Sequence, residues 1–207
     1  MKKRTLLWLL PAAFYAFFVF WYTDFGGPLS DEEVDTFVAT MQARNANPKT
    51  LAKLEGFLRS DSGRQFLMLN ALDLNDNPPN VEGAAPGENA DQLMARYMKH
   101  MVPELLKRAC HPVIMGDAVY PAIDVVGIEG AQQWTSGAFV RYRSRRSFME
   151  IVSNPAMVDQ HAFKMAALDK TIAYPVEPTL YLADLRLLLG LVLLAVTALL
   201  DTAFFRR

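Results

Sequence analysis

The sequence predicts an α+β fold that is held between two membrane-spanning helices. Long uncharged stretches stand near both ends of the chain, at residues 5–23 and 187–200. Between them, strand and helix patterns follow one another as strand–helix–strand–strand–helix–strand. That order is the split βαβ arrangement of a ferredoxin-like sheet.

The first apolar stretch, TLLWLLPAAFYAFFVFWYT, is long enough to cross a bilayer. Its 19 residues, at a rise of about 1.5 Å each, roughly match a hydrocarbon core of about 30 Å. A signal peptide would have a shorter apolar region and small residues at its cleavage site. Trp21, Tyr22, Asp24 and Phe25 stand there instead. The sequence therefore predicts an uncleaved transmembrane helix over residues 1–23.

The second apolar stretch predicts a transmembrane helix over residues 183–205. Asp201 falls about one turn inside its far interface. An acidic group at that depth is costly and usually faces protein or water. The alternative, which we favour, is that its side chain snorkels to the lipid headgroups.

Basic residues flank the two spans at positions 2–4 and 206–207. Positive charge near a membrane stays on the cytoplasmic side. We therefore expect a bacterial inner-membrane protein with both termini in the cytoplasm and residues 24–182 in the periplasm. An even number of spans agrees with this topology.

The net charge and the cysteine content exclude some classes of protein. The chain carries a formal net charge of −1; its five terminal basic residues contribute +5, so residues 5–205 carry −6. An acidic domain argues against nucleic acid as a partner. Cys110 is the one cysteine, which excludes an intrachain disulfide framework.

Residues 24–62 predict a helical stalk or cover. Ser30 with Glu33 forms a capping box ahead of an apolar stripe, and Asn47-Pro48 starts a second helix. Residues 63–180 predict the ferredoxin-like domain. Its segment 74–90 is rich in turn-forming residues, and a loop this long is usually a functional lid or disordered. The other predicted elements are strands 66–74, 111–121, 133–143 and 171–178, and helices 91–108, 145–152 and 155–171.

Four segments carry a family resemblance: FLMLNALDL, YMKHMVPELLKRACHPVIMGDAV, FVRYRSRRSFMEIVSNPAM and HAFKMAALDKTIAYP. Over residues 64–178 they resemble an uncharacterised, unknown-function family of the dimeric α/β-barrel superfamily. The resemblance implies a homodimer whose sheets form a barrel with a cavity in each subunit. Some relatives are cofactor-independent oxygenases or isomerases, some bind haem, and many have no known activity. Cys110-His111 stand where the family often has a glycine pair, so that turn must be built differently.

Strand alternation places Arg141 on the same face as Phe139. If that face lines the cavity, Arg141 is a candidate to bind a carboxylate or enolate; alternatively it forms an ion pair with an acidic neighbour. Asn70 interrupts an apolar strand, and its amide either bonds the neighbouring loop or points into the cavity. Arg145 and Arg146 fall in the first turn of a helix, where the dipole disfavours cations, so we expect them in solvent.

His161 is the candidate general base, with a surface histidine as the alternative. Tyr97 completes the candidate ligand-binding set of Asn70, Tyr97, Arg141 and His161. The histidines and the cysteine show no metal-ligand spacing of a known kind, so neither a metal nor a cofactor is predicted.

The sequence thus predicts a membrane-anchored, homodimeric domain that binds a small molecule or serves as an accessory module of a membrane complex. The alternative is a cofactor-independent enzyme that acts on a lipophilic, quinone-like or polyketide-like substrate, with Arg141 and His161 as catalytic candidates. Fold resemblance alone assigns no reaction, and the question of enzymatic activity stays open.

Overall fold

The computed structural model describes residues 2–158 and 160–205. Met1, Arg206, Arg207 and Asp159, which fall within or beside predicted helices, lie outside the described residues. The chain divides into two compact units, Gly26–Glu177 and a unit made of Met1–Phe25 with Pro178–Arg207. The elements are α1 (Lys2–Tyr22), α2 (Asp31–Ala43), α3 (Pro48–Arg59), β1 (Phe66–Leu74), α4 (Ala90–Lys107), β2 (His111–Asp117), β3 (Ser136–Tyr142), α5 (Arg145–Val152), α6 (Pro155–Val158), α7 (His161–Ala167), β4 (Leu168–Val176) and α8 (Leu185–Phe205).

The terminal unit consists of α1 and α8, two helices of 21 residues each. Both are long and apolar enough to cross a membrane. They pack against each other in opposite directions, because residues early in α1 contact residues late in α8. Tyr15 lies in this contact: its hydroxyl donates to the Arg186 carbonyl, near the start of α8, at 3.0 Å, and its ring lies against Gly190.

Asp201 is held by the other helix. The Nε and Nη2 atoms of Arg4 donate to its two carboxylate oxygens, each at 2.7 Å. This two-pronged pairing is the strongest geometry available to an arginine and a carboxylate. The Asp201 side chain is 11% exposed and faces Arg4 of the neighbouring helix, which agrees with the expectation that an acidic group at this depth faces protein. Whether it also reaches the lipid headgroups stays a prediction.

The helical pair α2–α3 belongs to the same compact unit as the sheet. Both predicted caps are present. Ser30 and Glu33 form the reciprocal capping box of α2, and the Asn47 side chain accepts from the backbone N–H groups of Lys49 and Thr50 at the start of α3. The two helices share a small core that contains Val34, Phe37 and Leu58.

The sheet has the strand order β2-β3-β1-β4, and every neighbouring pair is antiparallel. This order and the chain order confirm the predicted ferredoxin-like α+β fold. Helices α4, α5 and α7 contribute to one core with Phe66 of β1 and Tyr142 of β3.

The boundary between the last helix of the domain and β4 differs from the prediction. The helix expected over residues 155–171 is replaced by the short helices α6 and α7, and β4 starts at Leu168 instead of residue 171. Leu168 pairs with Leu74 of β1, and Lys170 forms a 2.9 Å ion pair with Asp73. Pairing with β1 therefore outweighs the helical pattern of the ALDKT segment.

Candidate functional site

The two faces of the sheet have different surroundings. Phe66, Met68 and Leu74 of β1 pack into the helix-covered core, and side chains alternate between faces along a strand. Leu67, Leu69 and Ala71 therefore point to the opposite side, which we call the outer face. Residues paired across antiparallel strands share a face, so the register gives the rest of it: Phe139 and Arg141 of β3, Ile172 and Tyr174 of β4, and Ile114 of β2.

The outer face is apolar along its centre. Leu69 lies between Phe139 and Tyr174 in the register. Leu69 and Phe139 are half-buried, whereas Tyr174 is 47% exposed and Ile114 at the sheet edge is 63% exposed. A solvated face of an antiparallel sheet normally carries polar side chains, so an apolar outer face indicates an interaction surface.

Arg141 closes one end of the outer face and is fully buried. Its Nε donates to Gln65 Oε1 at 2.7 Å, and its Nη1 donates to the Ala109 carbonyl at 2.6 Å. These partners are an amide and a backbone carbonyl. They hold the guanidinium plane in place at the junction of β3 with the end of α4.

The turn after α4 replaces the glycine pair expected from the resemblance. Ala109 adopts a left-handed conformation with φ 53°, and the Cys110 N–H returns to the Leu105 carbonyl at 2.9 Å. The Cys110 sulfur also accepts from the Arg143 N–H at 3.3 Å. Burial raises the pKa of this thiol. An alanine thus provides the turn that glycine usually makes.

Asn70 lies on the helix-covered side of β1, because it alternates with Leu69 and shares its face with Met68. Its side-chain Nδ2 donates to the Met68 carbonyl at 3.0 Å. The amide is therefore bonded within its own strand rather than to the neighbouring loop.

Tyr97, Lys164 and His161 form a polar cluster between α4 and α7. The Lys164 ammonium lies 5.7 Å from the centre of the Tyr97 ring, and His161 precedes Lys164 by one helical turn. Burial lowers the pKa of Lys164 and raises the pKa of Tyr97 to about 12. The protein around the His161 ring and the charge of Lys164 lower the histidine pKa, although the residue stays solvent-exposed.

The sheet separates the four sequence-predicted ligand residues. Asn70, Tyr97 and His161 belong to the helix-covered side, and Arg141 belongs to the outer face. One cavity inside the described subunit therefore does not present all four together. Their assignment as ligand-binding residues stays a prediction for each residue separately.

Arg145 and Arg146 are not in solvent as predicted. Arg145 is buried; its Nη1 donates to the Phe57 carbonyl and its Nη2 lies 3.2 Å from Glu177 Oε1. Arg146 pairs with Glu33 at 2.6 Å. Carboxylates from distant segments offset the unfavourable position of these arginines at the start of α5.

The 74–90 loop is ordered against the helices. Val81 and Ala84 pack on the main core, and Glu88 forms a 2.5 Å ion pair with Arg96 of α4. An open groove of about 710 Å³ lies between this loop and α7, lined by Asn80, Val81, Glu82, Gly83, Gln160, Ala162 and Phe163. In residues 2–158 and 160–205, no three metal-ligating side chains come together.

One surface was missed by the sequence reasoning. The 118–135 segment between β2 and β3, here called the arm, carries large apolar side chains that are between 52% and 97% exposed: Val119, Tyr120, Ile123, Val126 and Ile128. The length of the arm could have indicated this surface, because a connection of this length inside a compact domain is usually functional or disordered.

The structure resembles crystal structures of one protein. Methylated RPA0582 protein is 16% identical, with a TM-score of 0.53 over 65% of this chain and 93% of that chain. A second RPA0582 structure, described as a protein of unknown function from Rhodopseudomonas palustris, is 18% identical, with a TM-score of 0.51 over 65% and 95% of the two chains. At these identities the similarity shows the fold alone.

A dimeric protein of unknown function with a ferredoxin-like fold, from Bacteroides fragilis, is 9% identical over 55% of this chain and 96% of that chain. Its TM-score of 0.34 is too low to transfer its assembly to this chain. No protein-family model matches the sequence, and no curated protein matches it. The functional proposal therefore rests on the fold and on the geometry of the site.

Proposed function

We propose that this chain is a two-span protein of the bacterial inner membrane whose ferredoxin-like domain pairs with a second copy through the outer face. The domain serves as a small-molecule-binding or accessory module of a membrane complex. The apolar outer face carries this proposal, because an exposed apolar sheet face requires a partner. A twofold arrangement would place the same face on both copies.

The helix pair supports the proposed topology. Arg4, near the start of α1, contacts Asp201, near the end of α8, so the two helices run in opposite directions across one layer. Both ends would then lie on one side of the membrane, and the basic residues support the cytoplasm as that side. Reporter fusions at both ends should give cytoplasmic signals; a periplasmic signal from either end would refute this topology.

The enzymatic alternative has less support. Its catalytic candidates, Arg141 and His161, lie on opposite sides of the sheet. Both Arg141 bonds described above go to groups of the chain itself. A general base and an anion-binding group must both reach the reacting atoms. Within one subunit, this sheet keeps these two apart.

The test is the assembly state of the full chain in mild detergent. Tyr174→Glu places a charge on the outer face beside Leu69 and should convert the dimer to a monomer in sedimentation. Met165→Glu is the matched control, because Met165 is comparably exposed (52%) but lies on α7 in the helix layer. Dimers that persist in Tyr174→Glu, or a monomeric wild type, would overturn the proposal.

A further inference from the structure

The arm is firmly attached to the sheet at its base. The Ala118 N–H donates to the Thr135 carbonyl at 2.9 Å, and the Ala122 N–H donates to the Gln132 carbonyl at 2.8 Å. These bonds continue the β2–β3 hairpin beyond its regular strands. The Trp134 indole adds a 2.8 Å bond to the Ala131 carbonyl. The arm therefore extends from the hairpin as a supported structure.

Thr135, the last residue of the arm, is also hydrogen-bonded to β1. The Thr135 N–H donates to the Leu72 carbonyl at 2.9 Å. Its hydroxyl accepts from the Leu74 N–H at 2.9 Å and donates to Asp73 Oδ1 at 3.0 Å. Because three residues of the central strand hold Thr135, the position of the arm is set by the sheet.

The apolar side chains of the arm face outward. Val119 is 97% exposed, and Ile123 and Val126 are each 91% exposed. Scattered apolar residues on a surface are normal, but several on one supported projection mark an interaction site. Packing within the described chain gives these side chains almost no cover.

The charge of the arm distinguishes a protein partner from a lipid surface. Between Arg108 and Arg141 the chain has no lysine or arginine, and its charged residues are Asp117, Asp124 and Glu129. Anionic lipid surfaces attract segments rich in lysine and arginine. An acidic, apolar arm therefore favours a protein partner over a lipid surface.

The arm is continuous with the surface that we propose as the dimer interface. β2 is an edge strand of the sheet, and its exposed Ile114, which pairs with Phe139, connects the arm to the outer face. We infer that the partner of the arm is a second copy of this chain, with each arm of the twofold dimer packing on the other subunit. This inference rests on the proposed pairing of the outer faces.

A photo-crosslinking residue at Ile123 tests the contact directly. Full-length chains, one isotopically light and one heavy, are mixed in mild detergent, reconstituted into vesicles of uncharged lipid and irradiated. We expect light–heavy crosslinked peptides from Ile123 and none from the same probe at Met165 on the helix layer. Crosslinks from Ile123 to lipid or to another protein, or an absence of light–heavy products, would overturn the inference.

The double variant Ile123→Asp with Val126→Asp separates this inference from the proposed function. Both side chains are exposed in the single subunit, so the variant should keep the fold of the domain. We expect the dimer dissociation constant to rise at least about tenfold, a loss of roughly 1.4 kcal/mol, while a weakened dimer persists. If the dimer dissociation constant of the double variant is unchanged and Tyr174→Glu is still monomeric, the inference about the arm is refuted and the proposed dimer interface is not. Dimers that resist Tyr174→Glu as well would refute both proposals.

Discussion

Arg145 and Asp61 form an ion pair inside the domain, with Arg145 Nε 3.4 Å from Asp61 Oδ1. Their side chains are 9% and 2% exposed. The guanidinium also lies over the Phe57 ring, 4.3 Å from its centre. The start of α5 is thereby joined to the end of α3 and to the loop that leads into β1.

Replacing Arg145 should destabilise the domain strongly. Arg145→Met keeps much of the apolar stem but leaves the buried Asp61 carboxylate without its cation, which should cost about 3 kcal/mol. Arg146→Met is the matched control: its partner Glu33 is 38% exposed, and pairs of that kind contribute less than about 1 kcal/mol. Urea unfolding of both variants measures the difference. Equal losses would show that the Arg145 network contributes no more stability than the Arg146–Glu33 pair.

Reversing the Arg4–Asp201 pair should test how the two terminal helices associate. Asp201→Arg alone places two arginines together and should separate the helix ends, whereas Arg4→Asp with Asp201→Arg restores opposite charges. Disulfide trapping between cysteines at Trp8 and Leu194, which line the same interhelical groove, reports the association. We expect trapping to fall in the single variant and to recover in the double variant. Failure to recover would indicate that the ion pair does not hold the helices.

The attachment of α5 to α2 should weaken in acid. The Arg146 guanidinium and the Ser30 N–H lower the pKa of Glu33 from 4.5 to about 2. A carboxyl whose pKa is lower in the folded state stabilises the protein above its unfolded pKa, and this contribution is lost as the pH falls from about 4.5 to about 2. Glu33→Gln keeps the capping acceptor and removes the charge. Thermal melts between pH 6 and pH 2 should fall less steeply for this variant. Parallel curves would exclude Glu33 as a source of acid sensitivity.

Lys164 should be an unusually reactive amine. Burial lowers its pKa, so a larger fraction is the neutral nucleophile at any pH below its ordinary value. Lys170, held by Asp73 at 2.9 Å, is the internal comparison. Competitive acylation with peptide mass spectrometry, corrected for exposure, should label Lys164 at lower pH than Lys170. Tyr97→Leu tests whether the aromatic contact contributes. Similar pH profiles for the two lysines would contradict the expected shift.

Local signals in the sequence predicted the elements but not the long-range partners. The caps at Ser30 and Asn47 were predictable because each side chain bonds a backbone group within one turn. The continuous apolar pattern similarly defined β1 over residues 66–74. The ion pairs of Arg145 were not predictable, because Asp61 and Glu177 come from distant segments. Helix-dipole reasoning alone therefore placed this arginine in solvent.

The candidate site was predictable only in part. Alternation correctly grouped Arg141 with Phe139, since that relation lies within one strand. Whether Asn70 shares their face depends on the register between β1 and β3, which pairs Asn70 with Ala138. A shift of one residue reverses the face of every side chain, and no local pattern sets that register. The arm was overlooked because its apolar residues lack a regular period.

The pairing of Arg4 with Asp201 also has a consequence for the order of events during synthesis. The two residues are 197 positions apart; at roughly 5–20 residues per second, Asp201 is made about 10–40 s after Arg4. Arg4 is therefore made long before its acidic partner exists. The ribosome completes the whole ferredoxin-like domain during this interval, so α1 and α8 can pair only after the domain between them has been made.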